Sequence, residues 1–497
     1  MRRSIRYLSQ GRVIEVADFD PTTTLLDHLR LSRHRTGAKE GCNEGDCGAC
    51  TVALGRLVDD RLTYEPVTAC IRLLGTVDGC EVVTVEDLAE DGRLHPVQEA
   101  MVRLHGSQCG FCTPGIVMSL FTLYATPGPV DREAVLDRLS GNLCRCTGYR
   151  PIVDAALDAC AARPDDRPDD LFAAAAAETA LALAALDDGE EVFVGDEDRF
   201  FAAPRRLDTL DRILAACPDA TLVAGATDVG LWITKAGRDL SRLVHVGRLD
   251  GLDRIEESEG EIVLGAAVSL EDAGRVLGRL DPDIAHLFRR IGGAQVRASG
   301  TIGGNIANGS PIGDTPPLLI ALGASIELVR PGHVRRLPLE DFFVAYGRQD
   351  RTHDEILTSL AVPKLRANHA FRAFKIAKRH DQDISGLLGA LRLTLDGHTV
   401  AEARLAFGGM AGTPKRAVGA EAALVGASLA DPASWRRALE ALRTDFTPLS
   451  DLRASADYRT EAAVGVLGKA LVEIAGTPTT RTRIAGAREE ASLGRAF

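Results

Sequence analysis

The beginning of the chain carries short runs in which apolar residues recur with the period of two that is typical of β-strands. Gln10 and Gly11 separate the first two runs and form a hairpin signal. Leucines at helical spacing follow the capping threonines at positions 22–24, which predicts a helix. The predicted strands cover residues 5–8, 12–16, 52–54 and 81–85. Residues 1–88 are therefore expected to form a compact α+β unit.

The spacing of apolar residues becomes helical over residues 89–162, where four helices are predicted. Val97 and Met101, for example, lie on one face of the first of these helices. Residues 163–200 are predicted to be a linker without a strong core signal, because a charged, proline-punctuated stretch opens them and an alanine-rich helix follows.

Strands alternate with helices beyond residue 200, and glycines mark the turns between them. The pattern changes again near residue 381, where strands at 391–395 and 403–407 precede helices between residues 420 and 475. No internal repeat is found. We therefore expect an α/β domain over residues 201–380 and a last α/β domain over residues 381–497.

The composition is that of an ordinary globular protein, with 45% hydrophobic and 26% charged residues in 497. The formal net charge of −12 argues against nucleic acid and anionic membrane surfaces as partners. The first residues lack the apolar core of a secretory signal, and no stretch is long and apolar enough to span a bilayer. The cytoplasm is therefore the expected compartment.

Eleven cysteines are present, and in a reducing compartment metal ligation is the first hypothesis for them. Cys42, Cys47 and Cys50 have C-x4-C-x2-C spacing, and Cys70 supplies a distant fourth thiolate. This is the spacing of plant-type [2Fe–2S] ligands. Glycines between the cysteines fit this role, because they let backbone N–H groups approach the sulfides. A four-cysteine zinc site is the alternative, although zinc ribbons usually pair their thiols in two short knuckles.

A second set of four thiols combines a C-x2-C pair, Cys109 and Cys112, with a C-x-C pair, Cys144 and Cys146. Both pairs lie near predicted helix starts, where the positive end of a helix stabilises the negative charge of thiolate–iron centres. Taken alone, this set fits either a cluster or a zinc knuckle. The remaining cysteines are expected to be free buried thiols: Cys80, Cys160 and Cys217.

No G-x-G-x-x-G sequence follows a strand, so a Rossmann nucleotide site is not predicted. Two other regions offer glycines and free backbone N–H groups: residues 224–228, and residues 301–308 together with 310–314. Such turns can bind a pyrophosphate, with Thr and Asn side chains adding hydrogen bonds. Glycines at such positions also occur for turn geometry alone, and that alternative stays open.

Residues 39–51, 108–115 and 141–149 resemble the paired cluster motifs of the molybdenum hydroxylases, and all eight ligand positions match. The resemblance implies an α+β multidomain protein. Its expected parts are a ferredoxin-like β-grasp [2Fe–2S] domain (1–88), a four-helix [2Fe–2S] domain (89–162), an α/β FAD-binding domain of the vanillyl-alcohol-oxidase type (201–380) and a C-terminal α/β flavoprotein domain (381–497).

The resemblance also implies a molybdenum partner. In this family the cluster of the helical domain lies nearest the molybdenum, and Gln108 and Cys146 stand at the positions that contact the molybdopterin. Nothing in the chain resembles a molybdopterin-binding domain, so a large partner subunit is expected, in a dimer of heterodimers. Residues catalysing substrate hydroxylation are expected in that subunit and none in this chain, and NAD is the expected electron acceptor.

The two glycine-containing regions resemble the FAD-binding segments of the same family. The FAD contacts implied by the resemblance are Leu222, Val223, Ala224, Gly225, Ala226, Thr227, Asp228, Val229, Thr301, Ile302, Gly303, Gly304, Asn305, Asp314, Leu357 and Lys375. Ile291 stands where some relatives carry an aromatic residue. Tyr346 and residues 378–383 resemble the region that flanks the isoalloxazine and admits NAD. An ordinary solvated charge run explains residues 378–383 equally well.

Three other functions stay open. The chain could serve another molybdenum hydroxylase, acting on aldehydes or N-heterocycles. It could be a self-contained flavin and iron–sulfur reductase between NADH and soluble acceptors, although such a reductase needs neither a second cluster nor Gln108. It could also be a zinc-stabilised regulatory protein, which would be colourless when purified.

Overall fold

The computed structural model describes residues 1–161, 163, 170–476 and 483. The charged, proline-punctuated stretch predicted at the start of the linker falls largely outside the described residues, as does the end of the domain expected over residues 381–497. The helices are α1 Leu25–Asp27, α2 Pro96–Arg103, α3 Thr113–Ala125, α4 Arg132–Leu139, α5 Arg150–Ala161, α6 Leu171–Leu186, α7 Leu207–Ala216, α8 Val229–Thr234, α9 Leu270–Leu277, α10 Pro282–Arg289, α11 Ala294–Ser299, α12 Ile302–Asn308, α13 Thr315–Leu322, α14 Leu339–Phe342, α15 Val418–Leu424, α16 Arg436–Asp445 and α17 Ala456–Ile474.

The strands form five sheets within the described residues. They are β1 Ile5–Ser9, β2 Arg12–Val16, β3 Thr51–Val58, β4 Arg61–Thr68, β5 Glu81–Val83, β6 Val192–Gly195, β7 Phe200–Ala203, β8 Thr221–Val223, β9 Arg242–His245, β10 Ile255–Glu257, β11 Glu261–Gly265, β12 Ser325–Arg330, β13 His333–Pro338, β14 Phe343–Ala345, β15 Arg348–Gln349, β16 Ile356–Pro363, β17 His369–Ile376, β18 Leu387–Asp396, β19 Thr399–Gly408 and β20 Lys415–Arg416.

The chain divides into two compact units. The first contains residues 1–250 and 292–300, and the second contains residues 251–291 and 301–497. The short segment 292–300 therefore belongs to the first unit although residues on both sides of it belong to the second.

The first sheet of the first unit has the strand order β2-β1-β5-β3-β4. The predicted hairpin is confirmed, since β1 and β2 pair antiparallel with Ser9 opposite Arg12. The strand predicted over residues 81–85 ends at Val83, because the Thr84 backbone N–H donates to the Asp87 carboxylate at 2.7 Å and starts a 3-10 turn. Local side-chain capping thus replaces the last strand pairing.

The four helices predicted between residues 89 and 162 are confirmed as α2, α3, α4 and α5. Helix α3 is buried along most of its length and forms the middle of this part of the core. Its apolar residues run around the whole helix, which is the pattern of a helix enclosed on all sides.

The range predicted as a linker contains the expected alanine-rich helix, α6, and also a strand that was not predicted, β6. Helix α6 buries Leu183 and Leu186 against Leu8 of the first sheet. Strand β6 pairs antiparallel with β7 in a second sheet of order β6-β7-β9-β8, in which β7, β9 and β8 are parallel. Strand β6 has only four residues, which are too few for a period of two to be evident in the sequence.

The second unit contains two larger antiparallel sheets. In the first, of order β10-β11-β16-β12-β13, the central strand β16 buries Leu360 and Val362 under helices α9, α10, α12 and α13. In the second, of order β17-β18-β19-β20, the strands predicted at 391–395 and 403–407 are confirmed inside β18 and β19. Helices α15, α16 and α17 share a core with this sheet, as the helical pattern between residues 420 and 475 predicted.

His28 makes the stability of the first sheet depend on pH. Its Nε2 atom shares a buried hydrogen bond of 2.8 Å with the Tyr7 hydroxyl. Burial, followed by the charge of Arg33, lowers the pKa of His28 to about 4. The unfolded chain, with a histidine pKa of about 6.5, binds more protons than the folded chain between these values. The contribution to stability is therefore complete above the unfolded-state pKa and is lost as the pH falls toward the folded-state pKa.

We expect the thermal unfolding midpoint of the cofactor-loaded protein to fall between about pH 7 and pH 5, and to fall less in His28→Gln, since that variant has no imidazole to protonate. Circular dichroism at both pH values measures the difference. The exposed residue His333, replaced by Gln, is the control and should keep the wild-type pH dependence. Equal pH dependence in wild type and His28→Gln would contradict the prediction.

Candidate functional site

The four predicted thiols of the first set lie together in the first unit. Cys42 and Cys47 belong to the loop before β3, Cys50 directly precedes β3, and Cys70 follows β4. The Cys42 sulfur accepts hydrogen bonds from the thiols of Cys47 and Cys70, which hold its pKa far below the usual range. For both donors the interaction with Cys42 is the main cause of a raised pKa. These contacts place the Cys47 and Cys70 sulfurs beside the Cys42 sulfur, as ligands of one cluster must lie.

The backbone of the first loop wraps closely around these sulfurs. The Cys47 N–H donates to the Cys42 sulfur at 3.3 Å. Gly48 has a positive φ of 69°, and a Cβ atom there would lie 2.1 Å from the Gly141 carbonyl oxygen. A residue with a side chain cannot occupy position 48 without moving backbone, so glycine is needed both for the turn and for the approach of residue 141.

The four thiols of the second set also come together, in the loops that precede α3 and α5. Cys112 contacts Cys144, and Cys109 contacts Cys146. Burial, followed by the hydrogen bond with Cys144, raises the pKa of Cys112 to about 12. Burial opposes ionisation of Cys144, but hydrogen bonds, first among them that of the Thr147 hydroxyl at 3.1 Å, outweigh it and lower the Cys144 pKa.

Pairwise contacts distinguish a two-iron cluster from a zinc ion. In the part of the chain that the structure describes, three or more His, Cys, Asp or Glu side chains do not surround one metal-ion position. In the first set Cys42 contacts Cys47 and Cys70, and Cys70 contacts Cys50, whereas in the second set Cys112 contacts Cys144 and Cys109 contacts Cys146. A [2Fe–2S] cluster has two ligands on each iron, whereas zinc takes four ligands around one point. The donor sets therefore fit [2Fe–2S] clusters.

A backbone hydrogen bond joins the loops that carry the two thiol sets. The Leu143 N–H donates to the Cys47 carbonyl at 2.9 Å. Cys47 is a predicted ligand in the first set, and Leu143 directly precedes Cys144 of the second set. The backbone that carries one ligand thus contacts the backbone that carries the other.

The two sets differ in exposure. Cys50 and Cys70 are 2% and 1% exposed, whereas Cys109 and Cys146 of the second set are exposed. Gln108 is exposed beside Cys109. Two apolar side chains that flank the second set, Phe111 and Leu143, are 48% and 44% exposed. The second set therefore opens onto a partly apolar surface.

The first predicted FAD region, residues 222–229, lies in the first unit. Strand β8 ends at Val223, the chain turns through residues 224–228, and α8 starts at Val229. A Cβ atom on Gly225 would lie 1.9 Å from the Ser299 carbonyl oxygen, so the turn packs directly on backbone. The Gly230 N–H donates to the Ala226 carbonyl at 2.7 Å and the Leu231 N–H donates to the Asp228 carbonyl at 2.9 Å, so these bonds close the turn onto the start of α8.

The other predicted FAD residues lie in the second unit. The Thr301 hydroxyl caps α12 by accepting the Gly304 N–H at 3.0 Å, and the Asn305 side-chain oxygen accepts the Thr315 hydroxyl at 2.5 Å. Gly304 is exposed, and a Cβ atom built there meets only the Thr301 hydroxyl within 4 Å. The backbone at Gly304 is therefore accessible to a ligand.

The structure brings Asp314 and Lys375 together. Lys375 Nζ lies 2.7 Å from an Asp314 carboxylate oxygen and 2.9 Å from the Arg290 carbonyl. The Ser385 hydroxyl donates to the second Asp314 oxygen at 2.5 Å. This buried ion pair fixes the loop that carries Asp314. Leu357, the remaining residue of the prediction, is buried in β16.

Two residues that contact the thiol loops were missed by the sequence analysis. Lys235, just after α8, donates to the Cys42 carbonyl at 2.6 Å and lies 3.4 Å from Glu44. Gln295 on α11 contacts residues of both thiol-bearing regions. A single Lys or Gln without a motif gives no signal in one sequence, because only the folded chain brings it to the site.

Profiles of four protein families match successive parts of the chain. A 2Fe-2S iron-sulfur cluster binding domain matches residues 9–73 and a [2Fe-2S] binding domain matches residues 84–157. The FAD binding domain in molybdopterin dehydrogenase matches residues 197–365, and the CO dehydrogenase flavoprotein C-terminal domain matches residues 372–474. The predicted fold class is confirmed, and the matches support two [2Fe–2S] clusters and FAD as cofactors.

Xanthine dehydrogenase from Emericella nidulans is 31% identical to the chain over 517 residues, which covers 93% of this chain and 38% of the relative. Xanthine dehydrogenase/oxidase from Mus musculus is 32% identical over 452 residues, which covers 82% of this chain and 34% of the relative. The chain thus spans little more than a third of the length of these relatives.

Solved structures of carbon monoxide dehydrogenases are also similar. The enzyme from Hydrogenophaga pseudoflava that lacks the Mo-pyranopterin moiety is 29% identical with a TM-score of 0.52, covering 55% of this chain and 95% of that chain. Reconstituted CO dehydrogenase from Oligotropha carboxidovorans is 27% identical with a TM-score of 0.51, covering 55% of this chain and 96% of that chain.

Two iron–sulfur domains followed by a flavin domain define an electron-transferring iron–sulfur flavoprotein. More specifically, the chain is an iron–sulfur/FAD module of the molybdenum hydroxylases, homologous to a region of the xanthine dehydrogenases. Within the described residues, no helix is both long and apolar enough to cross a membrane.

If Cys42, Cys47, Cys50 and Cys70 hold one cluster, Cys47→Ala should lose one of two electron paramagnetic resonance signals of the reduced protein and about half of its iron, because a [2Fe–2S] cluster needs four thiolates. Iron analysis and low-temperature spectra of the purified variant measure both effects. Cys217→Ala, which removes a thiol outside both sets, is the control and should keep both signals. Two intact signals in Cys47→Ala would sink this ligand assignment.

If the exposed backbone at Gly304 contacts FAD, Gly304→Val should give protein without flavin but with unchanged iron content, since the new side chain occupies the space for the ligand. Flavin absorbance and iron analysis of the same sample test this. Gly260→Val is a matched control, because Gly260 also has open space around its Cβ position and no positive φ. Retention of flavin by Gly304→Val would count against this segment.

Proposed function

We propose that the chain is the iron–sulfur/FAD subunit of a xanthine dehydrogenase, relaying electrons from a molybdopterin centre in a partner subunit to NAD while hypoxanthine and xanthine are oxidised to urate. The observation that carries the proposal is the hydrogen bond between Cys47 and Leu143, which joins a thiol set that includes the buried Cys50 and Cys70 to a set whose Cys109 and Cys146 are exposed. A relay needs both a protected interior carrier and an accessible one.

The proposed cluster ligands divide into an inner and an outer group. Cys42, Cys47, Cys50 and Cys70 hold the inner [2Fe–2S] cluster, and Cys109, Cys112, Cys144 and Cys146 hold the outer one. The chain keeps water from the inner group by burying Cys50 and Cys70. Clusters supply one-electron carriers, and FAD supplies the two-electron step that NAD requires.

FAD is proposed to contact the turn at residues 222–229 and the segment at residues 301–305, with Asp314, Leu357 and Lys375 as further contacts. Support comes from the family profile over residues 197–365 and from the accessible backbone at Gly304. The Lys375–Asp314 pair would hold its loop in place, so the chain's own charges position the site.

The partner is proposed to be a large molybdopterin-binding subunit in a dimer of heterodimers, located in the cytoplasm. It would cover the surface formed by Gln108, Cys146, Phe111 and Leu143, with Gln108 and Cys146 contacting the molybdopterin. The exposure of Phe111 and Leu143 supports this placement, since apolar side chains beside an exposed functional group mark contact surfaces. Substrate hydroxylation is assigned to the partner and to no residue of this chain.

A second candidate is the equivalent subunit of another molybdenum hydroxylase. The similarity to carbon monoxide dehydrogenase structures, at 27–29% identity, favours keeping it. The relay in this chain would be the same in both cases, and only the partner would choose the substrate.

The test is xanthine-dependent NADH formation by the complex isolated natively through this chain, with molybdenum, iron and flavin measured on the same sample. We expect four irons and one FAD per chain, molybdenum in a second subunit, and NADH produced from xanthine.

Two outcomes would change the proposal. The same cofactors without xanthine turnover would overturn the substrate and favour the second candidate, to be tested with aldehydes and N-heterocycles. A colourless chain that contains zinc would overturn the relay itself. Complex carrying Cys47→Ala is the control, because its molybdenum subunit is intact while its inner cluster is lost.

A further inference from the structure

Gln295 lies at the junction between the two thiol-bearing regions. It is 1% exposed on α11, the helix of the segment 292–300 that the first unit takes from the middle of the flavin domain sequence. Its Nε2 atom lies 2.8 Å from the Asn142 side-chain oxygen, 3.1 Å from the Ser119 hydroxyl and 3.2 Å from the Thr51 hydroxyl. One side-chain amide thus contacts three separate segments of the iron–sulfur region.

These contacts fix which way the Asn142 amide points. Its oxygen accepts from Gln295 Nε2 and, at 2.6 Å, from the Ser119 hydroxyl. With two donors on the oxygen, the Asn142 nitrogen is directed to the Gly48 carbonyl at 3.1 Å. The opposite orientation would set nitrogen against the Gln295 nitrogen and oxygen against the Gly48 oxygen.

The oriented Asn142 acts beside the hydrogen bond that joins the two sets. Asn142 donates to the carbonyl of Gly48, and the next residue, Leu143, donates to the carbonyl of Cys47 at 2.9 Å. Two consecutive residues of the outer-cluster loop therefore donate hydrogen bonds to two consecutive residues of the inner-cluster loop. Cys144 follows directly, so these two hydrogen bonds set the separation between proposed ligands of the two clusters.

The junction has no spare room in which to adjust. A Cβ atom on Gly115 would lie 2.0 Å from the Gly48 carbonyl oxygen, and one on Gly141 would lie 1.9 Å from Gln295 Oε1. Among the described residues, that buried Oε1 has no hydrogen-bond partner. Leaving an acceptor buried and unpaired is costly, so the benefit of a glutamine here comes from its donor side.

We propose that Gln295 is a positioning residue for electron transfer between the two clusters. It holds the Asn142 amide in the orientation that hydrogen-bonds the outer-cluster loop to the inner-cluster loop. The proposal rests on the proposed function to the extent that both thiol sets carry clusters. Gln295 contacts neither set of sulfurs, so it acts through Asn142 and not as a ligand.

A second contact of α11 allows the role of Gln295 to be tested separately from the attachment of this helix. Arg297, on the same helix, lies 3.0 Å from the Asp137 carboxylate on α4 and does not touch Asn142. Loosening this ion pair weakens the attachment of α11 without changing the partners of the Asn142 amide. Asp137→Asn is therefore the matched control for substitutions at position 295.

The experiment compares Gln295→Met with wild type and Asp137→Asn, using the full cofactor-loaded chain. Met keeps the length of Gln but cannot donate to Asn142. After reduction by dithionite, low-temperature electron paramagnetic resonance reports the magnetic splitting between the two reduced clusters. After mixing with NADH, rapid-freeze samples report how far reduction of the outer cluster lags behind that of the inner one.

We expect Gln295→Met to keep iron, flavin and both cluster signals, to change the splitting, and to lengthen the lag by about tenfold, because misplacement of reacting centres by ~1 Å costs up to ~10²-fold in rate. Asp137→Asn should resemble wild type. Ser119→Ala, which removes the other donor to the Asn142 oxygen, should shift the splitting in the same direction and keeps the test available if Gln295→Met does not fold.

An unchanged splitting and lag in Gln295→Met would overturn the inference. Equal changes in Asp137→Asn would also overturn it, because Gln295 would then contribute only to the attachment of α11. Failure of the proposed function looks different. Wild-type protein would then lack one of the two cluster signals or would not be reduced by NADH. In the second case, the magnetic splitting measured after reduction by dithionite still tests the role of Gln295.

Discussion

The close backbone contact at Gly48 is the constraint on which the iron–sulfur half of the structure depends. Its carbonyl oxygen accepts from Asn142 and from the Thr51 hydroxyl, and it leaves no room for a side chain on Gly115. The inner-cluster loop, α3 and the outer-cluster loop can share one point only because the residues that meet there are glycines. The close backbone approach at these glycines lets the Asn142 and Gln295 side chains bridge the two domains, which have separate cores.

Burial and charge differ systematically between the two thiol sets. In the inner set Cys50 and Cys70 are buried and Cys42 and Cys47 are partly exposed, and the Cys42 sulfur accepts from the Cys47 backbone N–H and from neighbouring thiols. Lys235 adds a positive charge at the Cys42 carbonyl in a chain whose net charge is −12. The outer set is partly exposed, and the Thr147 hydroxyl lies 3.1 Å from the Cys144 sulfur. The different surroundings give two clusters of one type two different electrostatic environments, which is how proteins separate reduction potentials.

The cysteine spacings were sufficient to predict two sets of four thiols, and the structure brings the thiols of each set together. The four helices of the outer-cluster domain and the opening hairpin were also predictable, since long apolar faces and Gln10-Gly11 are local signals. Strand β6 was missed because four residues carry no readable period, and the strand predicted to Val85 ended early because Asp87 caps the following turn. These errors come from short-range hydrogen bonds that hydrophobic patterning does not detect.

The FAD contacts and the role of Gln295 could not be reached by the same reasoning. Thr51 and Gln295 are separated by 244 positions, and a polar residue at such a distance gives no local signal. The glycine turns were visible in the sequence itself and the family resemblance assigned them to FAD, but neither indicated the capping of α12 by Thr301 or the Lys375–Asp314 pair. Those features depend on which segments meet in space.

The same separation has a consequence for biosynthesis. At about 5 to 20 residues per second, a ribosome needs roughly 12 to 50 s to proceed from Thr51 to Gln295, a span of 244 positions. For the last 134 of these positions, from the end of α5 at Ala161 to Gln295, both iron–sulfur domains have been synthesised while their junction still lacks its last side chain. The nascent chain therefore has a period in which both thiol sets can receive metal before translation of one short helix closes the assembly.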